Sequence, residues 1–307
     1  MIVVTGGEGF IGGNLIKELE RRGYMGVVSL DTKTENLGYI YSWLVSNVDQ
    51  IDCVFHLGAI TDTTEMDRNK FDEYNVGTSI FIFNFCATNH IPLIYASSAA
   101  TYGDGSLGFD DERDIVDLEP LNPYGWSKQQ FDRYVKEQHQ LPPFWAGLKF
   151  FNVYGYGEDH KGKMSSVVLQ MYKRLESFGD VTLFKSHRVN YKDGEQLRDF
   201  IYVDDVTDIC IWMYENKPLS GIYNVGTGKA RTFNDMAKAV FRYKFNSEPF
   251  IKYFDIPPKI RDKYQYFTEA KISKLRMAGY KKPFHELEEG IEKYINKLKE
   301  DGNTIKI

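Results

Sequence analysis

Short apolar runs alternate with stretches of helix length along the first half of the chain. Turn residues or charges bound each run, and enough residues follow each one to form a crossover helix, which is the pattern of βαβ units. Because parallel strands buried on both faces read as nearly continuous apolar runs, the pattern predicts a parallel sheet with helices on both sides. The predicted strands are Ile2–Thr5, Val27–Leu30, Asp52–Leu57, Pro92–Ala96 and Trp145–Phe151.

The pattern loosens after the fifth strand into loops rich in Lys, Tyr and Gly around residues 155–163 and 185–198. Strand-like runs return at Asp199–Val203 and Gly221–Val225. Apolar residues at helical spacing predict an amphipathic helix over Pro283–Glu300. We therefore expect an α/β fold with a doubly wound parallel sheet and a second, smaller unit interleaved with it.

Composition narrows the class of protein. The chain has 307 residues, 42% of them hydrophobic, and 38 Lys and Arg against 43 Asp and Glu give a net charge of −5. This balance offers no basic surface for nucleic acid, no apolar run reaches the roughly 20 residues of a membrane-spanning helix, and no residues stand at metal-ligand spacing, so no metal is expected. Three separated cysteines, Cys53, Cys86 and Cys210, and an N-terminus without a secretory signal favour the cytoplasm.

A glycine-rich loop follows the first predicted strand directly. Residues 6–12 read Gly-Gly-Glu-Gly-Phe-Ile-Gly, which is a G-x-G-x-x-G when counted from Gly7, and a helix is predicted over Asn14–Arg22. Glycines allow a tight turn and the close approach of a pyrophosphate, and the helix N-terminus offers N–H donors. Asp31 lies 19 residues after Gly12, where a carboxylate would bind an adenosine ribose. The sequence therefore predicts a dinucleotide site.

The choice between NAD and NADP stays open at this point. Asp31 favours an unphosphorylated ribose, whereas Lys33 could pair with a 2′-phosphate. The expected fold is a Rossmann-like doubly wound parallel sheet with a second, smaller mixed α/β substrate domain. We expect residues 1–151 and 199–228 to form the dinucleotide-binding domain, and residues 152–198 and 229–307 to form the substrate-binding domain.

Polar residues at the end of the fourth strand and at the start of a later helix suggest acid/base chemistry. Ser98 follows the strand, and Asn122 is a good N-cap for a helix that carries Tyr124 and Lys128 four residues apart on one face. A phenol with a pKa of about 10 is a poor base at neutral pH, but a neighbouring ammonium and a helix N-terminus favour the phenolate. Tyr124 could then remove a hydroxyl proton, while Ser98 binds the same oxygen and Lys128 grips the nicotinamide ribose.

Further stretches along nearly the whole chain are similar to one enzyme family. With the glycine loop and Tyr124, they resemble the extended short-chain dehydrogenase/reductase family, whose members act on nucleotide sugars. The stretches are Phe55–Ala59, Tyr95–Gly103, Phe151–Gly155, His160–Met164, Arg198–Asp205, Asn224–Gly228, Tyr264–Thr268 and Ala278–Phe284. Two of them, His160–Met164 and Tyr264–Thr268, are specifically similar to the branch that epimerises ADP-glycero-manno-heptose.

The resemblance implies inversion at C6 of an ADP-linked heptose by transient oxidation to a 6-keto intermediate and re-reduction by tightly bound NADP or NAD. It also implies a homo-oligomer, since the family is pentameric. The two epimers place the C6 hydroxyl differently, so a second acid/base is useful, and Tyr124 and Lys161 match the residues that are thought to share this work. Ser98 and Lys128 complete the catalytic set that the family implies.

The family's ligand contacts carry over position by position. The implied cofactor contacts are Gly6, Gly9, Phe10, Ile11, Gly12, Asp31, Thr32, Leu57, Gly58, Ala59, Thr61, Asn75, Lys128, Val153 and Lys161. The implied substrate contacts are Ser98, Asn152, Lys163, Gln170, Phe184, Lys185, Ser186, His187, Arg198 and Tyr264. Arg198 suits a diphosphate because a guanidinium binds paired phosphate oxygens in a fixed fork, and Lys185 adds a positive charge.

The chain also departs from the family pattern. The stretch 31–52 is shorter than in the family, Arg188–Gln196 looks like an insertion, and Lys163 and Gln170 stand where the family usually has Ser and His. A nucleotide-sugar 4-epimerase or 4,6-dehydratase would use the same catalytic residues, although a dehydratase commonly has Asp-Glu after the active-site Ser and two alanines follow Ser98 here. A non-catalytic dinucleotide-sensing protein typically loses the Tyr or the Lys, and this chain has both.

Overall fold

The computed structural model describes residues 1–245, 248–261 and 264–302. Its strands in chain order are β1 (Ile2–Thr5), β2 (Val27–Leu30), β3 (Cys53–His56), β4 (Leu93–Ser98), β5 (Trp145–Phe150), β6 (Asn152–Tyr154), β7 (Val181–Phe184), β8 (Leu197–Tyr202), β9 (Gly221–Val225), β10 (Ala230–Thr232) and β11 (Ile251–Phe254). Its α-helices are α1 (Phe10–Arg21), α2 (Leu37–Ser46), α3 (Arg68–Phe71), α4 (Thr78–Thr88), α5 (Pro123–Glu137), α6 (Val167–Phe178), α7 (Val203–Asn216), α8 (Phe233–Phe245), α9 (Pro258–Arg261), α10 (Ser273–Met277) and α11 (Leu287–Glu300).

The first five strands and β9 form a six-stranded parallel sheet with the order β2-β1-β3-β4-β5-β9. Every side chain of β1, β3 and β5 is buried, as expected for apolar strands covered on both faces. The predicted α/β fold with a doubly wound parallel sheet is confirmed. The strand order reverses between β1 and β3, and ligands of such sheets bind at the carboxyl ends of the strands beside this reversal.

The chain divides into two compact units. The first comprises residues 1–150, 206–225 and 271–281, and the second comprises residues 151–205, 226–270 and the chain from 282 onward. The division expected from sequence assigned 199–228 as a whole to the first unit and 229–307 to the second, whereas 199–205 and 226–228 belong to the second unit and 271–281 belongs to the first. The physical reason is strand pairing, because β8 pairs with β6 and β10 and does not join the six-stranded sheet.

The core of the first unit lies between its sheet and the helices that cover it. Val3, Val54 and Leu93 contribute from the strands, and Ile82 and Phe83 contribute from α4, all of them without exposed surface. Full burial of one such side chain contributes roughly 1.5–3 kcal/mol. Helix α4 carries buried residues on both faces. Its sequence therefore has no single apolar stripe from which a helix could be predicted.

The second unit contains a three-stranded sheet, β10-β8-β6, and a parallel pair, β11-β7. Helix α11 buries Leu287 and Ile291 on one face, which confirms the amphipathic prediction. Its start was predicted too early, at Pro283. The helix begins at Leu287 because Glu286 and Glu289 form a capping box there. Across the described parts of both units, no helix combines the length and the apolar character that crossing a membrane requires.

Candidate active site

The glycine loop joins β1 to α1 with almost no space for side chains. Gly6 has φ +74°, and a Cβ there would lie 2.5 Å from the backbone N of Gly58. A Cβ at Gly12 would lie 2.1 Å from the carbonyl oxygen of Gly6. Helix α1 begins at Phe10, four residues earlier than predicted, because Gly9 serves directly as its N-cap. No side chain caps this end, so the loop and the helix N-terminus fit the pyrophosphate of a dinucleotide.

Asp31 is buried at the end of β2 and is bound to the glycine loop. Its Oδ2 accepts from the backbone N of Glu8 at 3.0 Å, and its Oδ1 accepts from the backbone N of Lys33 at 2.9 Å. The Lys33 Nζ donates to the Glu8 carbonyl at 2.8 Å. Each carboxylate oxygen keeps a further lone pair for a ribose hydroxyl. Thr32, beside Asp31, is exposed.

The segment after β3 is held by a buried asparagine. Asn75 lies in a π-helical turn, Asp72–Gly77, between α3 and α4. Its Oδ1 accepts from Ile60 N at 2.8 Å, and its Nδ2 donates to Ile60 O at 3.0 Å and to Ser127 Oγ at 3.0 Å. Leu57, Gly58 and Ala59 are half-buried, and Thr61 is exposed. The π-helical turn therefore fixes the segment after β3 that was predicted to contact the cofactor.

His56, the last residue of β3, is a neutral buried histidine. Its Nδ1 lies 2.7 Å from Thr5 Oγ1, and its Nε2 lies 2.8 Å from Ser79 Oγ. Burial lowers the pKa of His56 to about 3, and the charge of Lys128 lowers it further in the same direction. Both ring nitrogens have hydrogen-bond partners, so His56 supports the end of the strand rather than binding a metal ion.

Ser98, Tyr124 and Lys128 come together in the first unit. The predicted helix start is confirmed, because the Asn122 side chain accepts from Gly125 N at 2.8 Å and Pro123 opens α5. Strand β4 continues two residues beyond its predicted end and carries Ser98 as its last residue. Ser98 hydrogen-bonds the Tyr124 side chain, and Lys128 Nζ donates to Ala96 O at 3.0 Å.

The electrostatics of this group differ from the expectation based on sequence. Burial raises the pKa of Tyr124, and the hydrogen bond with Ser98 is the interaction that opposes this rise. Burial also lowers the pKa of Lys128 to about 8, while the charge of Asp132 opposes the fall. Desolvation therefore dominates at Tyr124, and the lowering of its pKa by the Lys128 ammonium, which was expected from sequence, is not among the causes of the shift. Lys128 itself is brought close to the neutral pH range, where it can both hold and release a proton.

Sequence reasoning missed a buried ion pair behind Lys128. Asp132 Oδ2 accepts from Lys149 Nζ at 2.9 Å and from Ser97 Oγ at 2.7 Å, and Asp132 Oδ1 accepts from Tyr95 OH at 3.1 Å. The two charged side chains are 0% and 2% exposed. Two features of the sequence could have indicated this pair: Asp132 lies four residues after Lys128, and Lys149 is a lone charge in an otherwise apolar strand.

Lys161 lies in the second unit, in the short helical loop Asp159–Met164. It is half-buried, and burial lowers its pKa while the charge of Glu158 opposes the fall. Gln170 Nε2 donates to the carbonyls of Lys163 at 3.2 Å and Ser165 at 2.8 Å, so this side chain braces the loop. Lys163 is exposed, as is Asn152 on β6, and its neighbour Val153 is half-buried.

A second group in the same unit surrounds Arg198. Its guanidinium is buried 5.2 Å over the Tyr264 ring, and its N–H groups donate to the carbonyls of Leu197 and Gln265. Burial lowers the pKa of Arg198. Among the residues that the structure describes, no carboxylate forms an ion pair with it. The positive charge is therefore available to an anionic ligand.

The segment Arg188–Gln196, which looks like an insertion in the sequence, packs on the predicted substrate segment Phe184–His187. Asp193 Oδ1 accepts from Ser186 N at 2.8 Å, and the Arg188 guanidinium lies 4.5 Å over the Tyr266 ring. The Phe184 ring meets the Tyr264 ring edge-on at 5.6 Å, while Lys185 and His187 are exposed. The segment Arg188–Gln196 thus forms part of the wall around the predicted substrate residues of this unit.

Each unit gathers its own share of the predicted site. The first unit brings together the glycine loop, Asp31, Asn75 and the Ser98, Tyr124 and Lys128 group. The second unit places Lys161 in one braced loop and Arg198 in an aromatic cluster. In the described residues, no group of three or more His, Cys, Asp or Glu could hold a metal ion.

Known proteins are similar to this chain in sequence and in fold. Residues 2–226 match the NAD dependent epimerase/dehydratase family. The chain is 44% identical to the ADP-L-glycero-D-manno-heptose-6-epimerase of Fusobacterium nucleatum, over 98% of this chain and 99% of the relative. It is 43% identical to the enzyme of the same name from Nitratidesulfovibrio vulgaris, over 97% of each chain.

Solved structures agree with this assignment. The Helicobacter pylori ADP-L-glycero-D-manno-heptose-6-epimerase superposes with a TM-score of 0.78 at 27% identity, over 97% of this chain and 96% of that one. The Thermus thermophilus UDP-glucose 4-epimerase in complex with NAD gives a TM-score of 0.76 at 25% identity, over 97% and 98%. Sequence similarity, fold and the glycine loop all point to the same family, and the chain belongs to the NAD dependent epimerase/dehydratase family.

Proposed function

We propose that this chain is an ADP-L-glycero-D-manno-heptose 6-epimerase, which inverts C6 of the sugar by transient oxidation to a 6-keto intermediate and re-reduction. The observation that carries the proposal is 44% identity to a relative of that name along 98% of the chain. The chain also has two candidate acid/base groups, Tyr124 in the first unit and Lys161 in the second, and the reaction needs two such groups.

Tyr124 is the proposed base for one of the two epimers. It takes the proton of the C6 hydroxyl, and Ser98, which already hydrogen-bonds its side chain, binds the same substrate oxygen. Lys128, one helical turn after Tyr124 on α5, would hold the nicotinamide ribose. NAD(P), when bound, would accept a hydride from C6 and return it after the C5–C6 bond has rotated.

Lys161 is the proposed acid/base for the other epimer. One residue of the pair takes the hydroxyl proton as the C–H bond at C6 breaks, and the other returns a proton to the oxygen when the new C–H bond forms on the opposite face. Burial lowers the pKa of Lys161, which makes its ammonium a better proton donor. No net oxidation of the sugar occurs.

The anionic end of the substrate is proposed to bind at Arg198. The guanidinium is held by two carbonyls and two aromatic rings, at 5.2 Å from Tyr264 and 5.8 Å from Phe233, so its orientation is set before the ligand arrives. A fixed fork of N–H donors matches the paired oxygens of a diphosphate. Lys185 and the Phe184 ring complete this end of the proposed site.

We also propose that the enzyme is located in the cytoplasm and that it forms a homo-oligomer. The three cysteines are free and buried, which is compatible with a reducing compartment. Light scattering coupled to size-exclusion chromatography measures the mass of the assembly, and a single 35.6 kDa species would contradict the oligomer.

Proton NMR of ADP-D-glycero-D-manno-heptose incubated with the purified protein, without added cofactor, tests the function. Inversion at C6 is the expected result and also demonstrates a tightly held, self-regenerating nicotinamide cofactor. No inversion, with bound cofactor confirmed by its absorbance, would refute this substrate. A panel of other nucleotide sugars would then test a 4-epimerase, which uses the same Ser98, Tyr124 and Lys128.

A further inference from the structure

A buried carboxylate in the second unit has no role in the chemistry proposed above. Glu158 is 0% exposed. Its Oε2 accepts from Ser166 N at 2.5 Å, and its Oε1 accepts from Ser166 Oγ at 2.5 Å and from Tyr294 OH at 3.1 Å. Burying a carboxylate is costly unless donors surround it, so this site is built specifically for an acidic side chain.

The loop that carries Lys161 is attached to Glu158 at its start. The backbone N of Lys161 donates to the Glu158 carbonyl at 3.0 Å. The far end of the loop is closed by Ser165, whose Oγ donates to Gly162 O at 2.7 Å. Gly162 turns the chain with φ +53°, a backbone conformation that glycine adopts without strain. Hydrogen bonds therefore hold the loop at both of its ends.

The carboxylate of Glu158 fixes that loop to helix α6. Ser166 is the N-cap of α6 and accepts from Leu169 N at 3.3 Å while it donates to Glu158. The helix N-terminus carries a partial positive charge that stabilises an anion. Tyr294 adds a donor from α11. Two helices and the loop thus meet at one side chain.

The charges of Glu158 and Lys161 are linked. Burial raises the pKa of Glu158, and Ser166 and the charge of Lys161 oppose the rise. Burial lowers the pKa of Lys161, and the charge of Glu158 opposes the fall. The other groups nearby are Tyr294, whose pKa is raised by burial and by Glu158, and Asp159, which pairs with Lys173 of α6 at 3.2 Å.

We propose that Glu158 is a positioning residue for Lys161: it anchors the loop Asp159–Met164 to α6 and α11 and supplies the negative charge that stabilises the Lys161 ammonium. The proposal rests on the acid/base role that the proposed function gives to Lys161. Its physical basis is the set of bonds around one buried carboxylate, which joins the loop to two helices.

The Glu158→Gln variant tests the charge part of this proposal without any substrate. The variant keeps the shape of the side chain and removes its charge. The pH dependence of Lys161 acylation, followed by peptide mass spectrometry with Lys163 as internal reference, reports the protonation of Lys161 directly. In the variant the labelling curve is expected to move to lower pH, because the charge that opposes the fall in pKa is gone. A curve that coincides with wild type in the folded variant would overturn the proposal.

Kinetics test the positioning part. Displacement of a catalytic group by about 1 Å costs roughly 100-fold in rate, so kcat of Glu158→Gln is expected to fall by about that factor with little change in KM. The Asp159→Asn variant is a matched control, because it removes a neighbouring carboxylate that is 40% exposed and is expected to leave both readouts unchanged. A wild-type kcat in Glu158→Gln would refute positioning.

Two further results keep the two proposals separable. If Glu158→Gln does not fold, Glu158→Asp retains the charge but shortens the side chain, and the expected result is a wild-type labelling curve with a reduced kcat. A wild-type kcat in Glu158→Asp would overturn the positioning role. Because labelling needs no turnover, a failure of wild type to epimerise the ADP-heptose would refute the proposed function while the labelling shift still tested the link between Glu158 and Lys161.

Discussion

The buried pair Asp132–Lys149 makes a quantitative prediction about stability. The Lys149→Met variant removes the ammonium that lies 2.9 Å from Asp132 Oδ2 and leaves a chain of similar length. Asp132 would then remain buried with only the hydroxyls of Ser97 and Tyr95 as donors, at 2.7 and 3.1 Å. Removing one partner of a buried pair costs about 3–5 kcal/mol, because it leaves an uncompensated charge. We expect a loss of that size in the free energy of unfolding.

Urea unfolding followed by tryptophan fluorescence measures this loss. Trp145 lies on β5, the strand that carries Lys149, and stacks near Tyr95 with ring centroids 6.5 Å apart, so it reports on the unfolding of this core. Cofactor has to be held at one concentration, since a ligand that binds the folded state adds RT ln(1 + [L]/Kd) to the stability. The Lys173→Met variant is the control, because it removes a cation from the half-exposed pair with Asp159 and is expected to cost less than about 1 kcal/mol.

A double variant distinguishes an unpaired charge from a simple loss of packing. With Asp132→Asn and Lys149→Met combined, neither charge of this pair is left buried without its partner, so the combined loss should be smaller than the sum of the single losses by about 1–3 kcal/mol. Additive losses, or a Lys149→Met loss no larger than that of the exposed control, would refute the reasoning. Both results would mean that water or local rearrangement compensates the Asp132 charge.

Three further predictions concern the site. Tyr124→Phe and Lys161→Met should each reduce epimerisation by about 100-fold or more while cofactor content, read from absorbance, stays near wild type, and full activity would remove the residue from the mechanism. Asp31→Ala should weaken NAD binding in a titration far more than it changes the chemical step at saturating cofactor, and unchanged affinity would contradict the ribose role. The pKa of His56 is lowered to about 3 in the folded state. Below about pH 6.5 the unfolded state therefore binds a proton at this residue that the folded state does not bind, and stability should fall as the pH is lowered through that range. The urea midpoint should therefore fall more between pH 7 and pH 5 in wild type than in His56→Gln, and equal falls would contradict this account.

Local signals in the sequence were sufficient for the framework of the first unit. The strands β1, β2 and β9 have the predicted bounds, and the Asn122 cap with Pro123 begins α5 as expected. These features depend on neighbouring residues, since an apolar run between turn residues and a capping side chain act within a few positions of the chain. The glycine loop and Asp31 could be read for the same reason.

Only the tertiary structure decided the features that depend on distant residues. The sequence could not show which sheet β8 joins, because the partner strands β6 and β10 come from separate parts of the chain. Glu158 and Tyr294 lie 136 positions apart and meet at one carboxylate. Lys149 looks like an anomaly in an apolar strand until the fold places Asp132 beside it. The pKa directions of Tyr124 and Lys128 follow from the same cause, since desolvation depends on what packs around a group, and packing is a property of the folded chain.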